Sequence, residues 1–82
     1  MTELKDTIEL MTSADYKDRF KAEYWQTKIR YDKLHKMVVK MEAGTLEFEP
    51  SCTLKCFKQQ LSFMGNYLYM LELRAQIEGV EL

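Results

Sequence analysis

The residues best suited to chemistry in this chain are cationic and aromatic. Lys17, Arg19, Lys21, Lys28, Arg30, Lys33, Lys36 and Lys40 crowd one stretch, opposed there only by Asp18, Glu23 and Asp32. Tyr16, Phe20, Tyr24, Trp25 and Tyr31 are threaded among them. Ammonium and guanidinium groups hold phosphate through charge-assisted hydrogen bonds, and aromatic faces stack on planar bases. A small nucleotide asks for both in one pocket. The same pattern also describes a solvated helix face with local pairing, such as Asp32 with Lys28 or Lys36 at four-residue spacing. Aromatics at regular helical spacing are ordinary core. Composition alone leaves both readings open.

Catalytic sets are missing. There is no Gly-rich phosphate loop, no HExxH, no Cys/His pair and no Gly-x-Ser-x-Gly elbow, so the sequence predicts a protein that is not an enzyme. His35 is the single histidine; it follows Leu34 without an evident partner and reads as a structural or surface residue. Cys52 and Cys56 stand four apart. On one helix their Cα atoms would lie roughly 6 Å apart with parallel side chains, a geometry that strains a bridge. They read as reduced, part-buried small apolar residues, and no metal or cofactor is expected.

The elements that must position these groups are helices. Leu4, Ile8 and Met11 have helical spacing and predict a short helix over residues 2–12. Thr12 or Ser13 is the expected cap of a second helix, Asp15 lying three residues after Thr12 as in a capping box. Phe20, Tyr24, Thr27, Tyr31, Leu34, Val38 and Met41 then step by fours and threes, the seam of a long helix over residues 14–42. Gly44 stands where that helix should stop. Residues 43–51 read as a loop, with Leu46 and Phe48 folding back to plug the end of the hairpin and Ser51 capping the last helix. That helix, over residues 52–77 and closed by Gly79, carries a matching seam of Leu54, Phe57, Leu61, Met64, Leu68, Leu71 and Ala75. The fold class is therefore all-α: a short N-terminal helix and a long antiparallel helical hairpin, forming one domain over residues 1–82.

Two helices do not use all the apolar surface. Phe63, Tyr67, Met70 and Ile77 form a second stripe on the last helix, with Arg74 in its row and Tyr69 and Leu73 widening it. One partner helix buries a stripe little over 100° wide. Each large side chain left in water forgoes roughly 1.5–3 kcal/mol of burial. The short N-terminal helix is expected to cover part of this surface, and a subunit interface the rest, which predicts a homo-oligomer. The chain has 82 residues, 12 basic and 13 acidic, for a net charge of −1, so neither duplex nucleic acid nor an anionic membrane is an expected partner. The opening Met1-Thr2-Glu3-Leu4-Lys5-Asp6 lacks the features of a signal peptide, and no stretch approaches the roughly 20 apolar residues of a spanning helix. A soluble, cytoplasmic protein is expected.

Four segments carry a resemblance: Tyr16-Lys17-Asp18-Arg19-Phe20, Gln26-Thr27-Lys28-Ile29-Arg30-Tyr31-Asp32-Lys33-Leu34, Gln59-Gln60-Leu61-Ser62-Phe63-Met64 and Tyr67-Leu68-Tyr69-Met70-Leu71-Glu72-Leu73-Arg74. Over roughly residues 15–76 the chain resembles the helical-hairpin domain of phage anti-CBASS and anti-Thoeris sponge proteins. The resemblance implies a non-enzymatic immune-evasion protein in the cytoplasm of an infected bacterium. It implies assembly, commonly as a hexamer, and sequestration of cyclic dinucleotide, cyclic trinucleotide or cyclic ADP-ribose-type messengers. It further implies ligand-binding roles for Tyr16 as a base-stacking ring, Lys28 or else Lys33 as a phosphate ligand, and Arg74 late in the last helix. The residues themselves also allow a different function, a helical adaptor or inhibitor that binds a protein through the second stripe.

Overall fold

In the computed structural model, which describes residues 3–82, a 3-10 turn (Leu4–Thr7) runs straight into a short helix α1 (Ile8–Met11). Two long helices come next, α2 (Tyr16–Ala43) and α3 (Leu54–Glu78), and no strand occurs among the described residues. Thr2, the expected first residue of the short helix, lies outside the described residues, and the first turn after it is 3-10 rather than α.

The helix starts differ from the sequence expectation. Asp15, not Thr12 or Ser13, is the N-cap of α2, its carboxylate accepting the Lys17 N–H at 3.0 Å. Ser13 serves one step earlier: its hydroxyl accepts the Asp15 N–H and donates to the Asp18 carboxylate at 2.8 Å. Thr53, not Ser51, caps α3 by accepting the Cys56 N–H at 3.2 Å. Both helices stop on a left-handed glycine, Gly44 at φ 75° and Gly79 at φ 70°. In each case the next residue's N–H reaches back over the last turn, Thr45 to Lys40 O and Val80 to Ala75 O, both at 2.9 Å. That is the Schellman geometry, in which the residue after the glycine often packs on the helix it closes. Val80 does so and is buried.

The long helices run antiparallel. Lys17 Nζ donates to Gly79 O at 3.4 Å, the Tyr24 hydroxyl to Glu72 at 2.7 Å, and Lys58 pairs with Glu42 at 3.2 Å. The 43 Å long axis of the molecule is about the length of α2 at roughly 1.5 Å per residue. All seven expected seam residues of α3 face inward, Leu68, Leu71 and Ala75 fully. The main core joins them to Phe20, Tyr24 and Val80, with Trp25 and Tyr31 packed at its edge. Leu46 tucks in at the loop end, but Phe48 stays exposed and plugs nothing.

The N-terminal segment packs on α2 and makes no close approach to α3. Thr7 is buried; its hydroxyl donates to Leu4 O at 2.7 Å and accepts from Gln26 Nε2 at 3.0 Å. Ala22 and Ile29, one turn to either side of Gln26 on that face, are buried too. This corrects the expectation that the segment would shield the second stripe of α3. A neighbouring row on α2 takes it because Gln26 offers a polar anchor between two apolar residues.

Tyr24 carries a measurable signature of this packing. Burial, then its bond to the Glu72 carboxylate, pushes the phenol up to about 12. A group harder to ionise folded than unfolded gives stability that is complete below the unfolded value near 10 and drains as pH rises toward about 12. Denaturant titrations across that window should show the loss in the wild type. Tyr24→Phe should lack that component and be less stable by about 1 kcal/mol at neutral pH.

Candidate functional site

The antiparallel pairing sets the first turn of α2 beside the last turn of α3. Tyr16, the first residue of α2, is 46% exposed there. Arg74 comes from the opposite arm of the hairpin, and its guanidinium lies 4.8 Å from the centroid of the Phe20 ring. Glu78, four residues on, accepts from Arg74 Nε at 2.7 Å and from Nη2 at 3.4 Å. That bond raises the guanidinium's already high value further and holds the Glu78 carboxyl below its ordinary range, with the nearby Tyr16 hydroxyl acting in the same direction. The Nη1 edge of Arg74 makes no hydrogen bond among the described residues. The result is an aromatic ring beside an immobilised, part-open guanidinium. Such a pair can stack on a base and hold a phosphate.

Of the four expected ligand residues, Tyr16 and Arg74 come together and the two lysines do not join them. Lys28 lies about 18 Å farther along α2 than Tyr16, and Lys33 about 26 Å, at roughly 1.5 Å per residue. Lys28 Nζ pairs with Asp32 at 3.1 Å and sits 5.7 Å from the Tyr31 ring centroid. Lys33 is exposed, and like Arg30, Lys36 and Lys40 it makes no hydrogen bond or ion pair among the described residues. The basic helix therefore keeps free cations at Lys21 and along its second half, whereas Lys17 and Arg19 are tied to backbone carbonyls of Gly79 and Ser13.

A groove of about 740 Å³ opens beside Tyr24, Ala75 and Val80. Glu72 and Glu81 line it, so it repels rather than holds phosphate. A smaller one, about 320 Å³, lies beside Tyr31, His35, Val38 and Lys58. His35 is exposed and stacks on Tyr31 with ring centroids 6.1 Å apart, a surface role.

The cysteines differ from expectation. Cys52 precedes the N-cap, outside α3, and both thiols are exposed rather than part-buried. The neighbouring Cys52 thiol pushes the Cys56 thiol up. The helical strain argued from their spacing does not apply, because only Cys56 is helical.

Sequence reasoning passed over Glu78 and Phe20 as partners of Arg74. The four-residue spacing of Arg74 and Glu78 was the available signal, since such pairs meet on a helix. The approach of Phe20 depends on hairpin register, which no local pattern encodes. No helix among the described residues is long and apolar enough to cross a membrane.

Searches of curated proteins and of solved structures return no match. The profile of one protein family, Sequestin, matches residues 14–77. That span takes in α2, the connecting loop and nearly all of α3, with Tyr16, Lys28, Lys33 and Arg74 inside it, and the chain belongs to the Sequestin family.

Proposed function

We propose that the protein binds and sequesters a cyclic nucleotide messenger of bacterial defence, a cyclic dinucleotide, cyclic trinucleotide or cyclic ADP-ribose variant, without cleaving it. It would act as a homo-oligomer, a hexamer by the resemblance, in the cytoplasm of an infected bacterium. The family name points to sequestration of some molecule. The observation that carries the nucleotide reading is that Tyr16 and the Phe20-held Arg74 lie at the same end of the hairpin, both beside Glu78. The free cations of α2 add attraction for phosphate along the same helix. Tyr16 would stack on a base, Arg74 would hold phosphate through its open edge, and Lys28 or Lys33 would reach the ligand from a neighbouring subunit.

A thermal-shift screen of the purified protein against the three messenger classes tests this. Ligand at about 100 times its Kd stabilises the folded state by roughly 2.7 kcal/mol, a rise of several degrees or more for a domain of this size. A shift with one class that grows with concentration identifies the cargo. No shift with any class defeats the nucleotide reading. One observation favours a second reading: the outer face of α3 leaves Phe63, Tyr67, Tyr69, Met70, Leu73 and Ile77 exposed, a surface that an adaptor or inhibitor of a host protein could use.

A further inference from the structure

The two cysteines take no part in the core or in the candidate site. Cys52 and Cys56 are free and exposed, and Cys56 lies about 27 Å from Arg74 along α3 at the helical rise per residue. Their setting is nevertheless specific. Thr53, the residue after Cys52, is extended at φ −75° and ψ 155°. Its hydroxyl accepts the Cys56 N–H at 3.2 Å and its carbonyl the Phe57 N–H at 3.1 Å. Those bonds fix Thr53 over the open end of the helix. The residue before such a cap lies back against the first turn, where it commonly meets the fourth helical residue. Here that residue is Phe57, next to Cys56. The thiols are close enough for Cys52 to push the Cys56 thiol up, as when ionising one sulfur is opposed by another beside it. Four-residue spacing within a continuous helix would hold the side chains parallel and strain a bridge. The extended Thr53 removes that constraint by taking Cys52 out of the helix.

We infer that Cys52 and Cys56 form a reversible intrachain disulfide, a redox clasp that fastens the connecting loop to the first turn of α3. This bond stands apart from messenger binding, which takes place at the other end of the hairpin. The oxidant is a low-molecular-weight disulfide such as oxidised glutathione. One protein thiol gives up its proton and attacks a sulfur of the reagent, forming a mixed disulfide and releasing one glutathione, which takes up that proton. The second protein thiol then attacks the protein sulfur of the mixed disulfide. The Cys52–Cys56 bond forms, and the other glutathione leaves with the second proton. Two protein thiols are oxidised and one reagent disulfide is reduced. The second step is favoured because the attacking thiol is tethered beside its target, at a high effective concentration. Exposure gives the reagent access to both sulfurs, and exposed disulfides are the readily reversed ones.

Place in the fold gives the bond its consequence. No residue of α3 before Leu68 is fully buried. The first turns are held by half-buried Leu54 and Phe57, the Thr53 cap and the Lys58–Glu42 pair. A covalent tie across the cap withdraws freedom that an opened first turn would gain, so the oxidised chain should open less there.

Incubating the purified full chain with oxidised glutathione, then alkylating free thiols, reads the bond. Free thiols should fall from two per chain to none, with an intact mass lighter by two hydrogens and no glutathione retained. Trypsin cuts after Lys55, between the cysteines, so the non-reduced digest should contain peptide 41–55 joined to peptide 56–58. Reductant should separate them. Cys52→Ser and Cys56→Ser should each keep one glutathione, having no second thiol to displace it. A wild-type chain that keeps glutathione on both cysteines, or that links to another chain, overturns the bridge. Hydrogen exchange tests the clasp: amides of residues 55–58 should exchange several-fold more slowly in the oxidised chain, and those around Leu71 at the same rate. Equal rates at residues 55–58 in the two forms overturn the clasp. None of these readouts involves a messenger, so failure here and failure of the nucleotide reading are separate results.

Discussion

Leu71→Asp should abolish the helical far-UV spectrum at 25 °C, whereas Ile77→Asp, six residues away on the same helix, should leave it intact. Leu71 is 1% exposed at the centre of the core, and Ile77 is 74% exposed. Removing a buried leucine side chain costs about 2–5 kcal/mol. Leaving an unpaired carboxylate in its place adds several kcal/mol more, or forces its protonation. A chain of this length has only about 4–12 kcal/mol of stability to lose, at roughly 0.05–0.15 kcal/mol per residue. Circular dichroism and a melting curve on both variants decide the matter. A helical Leu71→Asp protein with a wild-type melting temperature would mean that the α2–α3 seam is misassigned.

Arg74→Glu should weaken messenger binding by roughly 10- to 150-fold by calorimetry. A hydrogen bond to a charged group is worth about 1.5–3 kcal/mol, and each 1.4 kcal/mol is about tenfold in affinity. Tyr16→Ala should lose a comparable amount, since stacking on a base contributes about 1–3 kcal/mol. Neither side chain is buried, so the apo fold should change little. The lost contact of Arg74 with Phe20 accounts for about 0.5–1 kcal/mol at an exposed site. Lys28→Glu should also weaken binding while leaving the particle mass unchanged. Wild-type affinity in Arg74→Glu would remove the hairpin end from the site, and wild-type affinity in Lys28→Glu would remove that lysine.

The helices were legible because their period is long and unbroken. Seven seam positions on α3 alternate threes and fours, and the structure turns each of them inward. Gly44 and Gly79 marked the stops because the chain must turn left-handed there and glycine does so without strain. The starts were less legible. Thr12, Ser13 and Asp15, like Ser51 and Thr53, are near-equal caps by residue type, and the choice falls to whichever oxygen meets an unpaired N–H. The tuck of Val80 and the docking of the N-terminal segment on α2 are tertiary outcomes with no local period. At the candidate site, residue types were readable but distance was not. That Arg74 lies on Phe20 near Tyr16 while Lys28 stands far along the helix emerges only once the register of the hairpin is known.

The core of this molecule is lopsided. Phe20, Tyr24, Leu68, Leu71, Ala75 and Val80 concentrate at the end away from the loop, while Leu54, Phe57, Leu61 and Met64 are only half-buried against α2. Local opening begins where buried apolar area is least, so the loop end can breathe while the other end stays closed. Amide protons of the first turns of α3 should therefore exchange with solvent well before those around Leu71. Tyr16 and Arg74 stand on the closed end. A ligand arriving there meets side chains already held by Phe20 and Glu78 and has little further freedom to freeze out, which favours tight capture from a small scaffold.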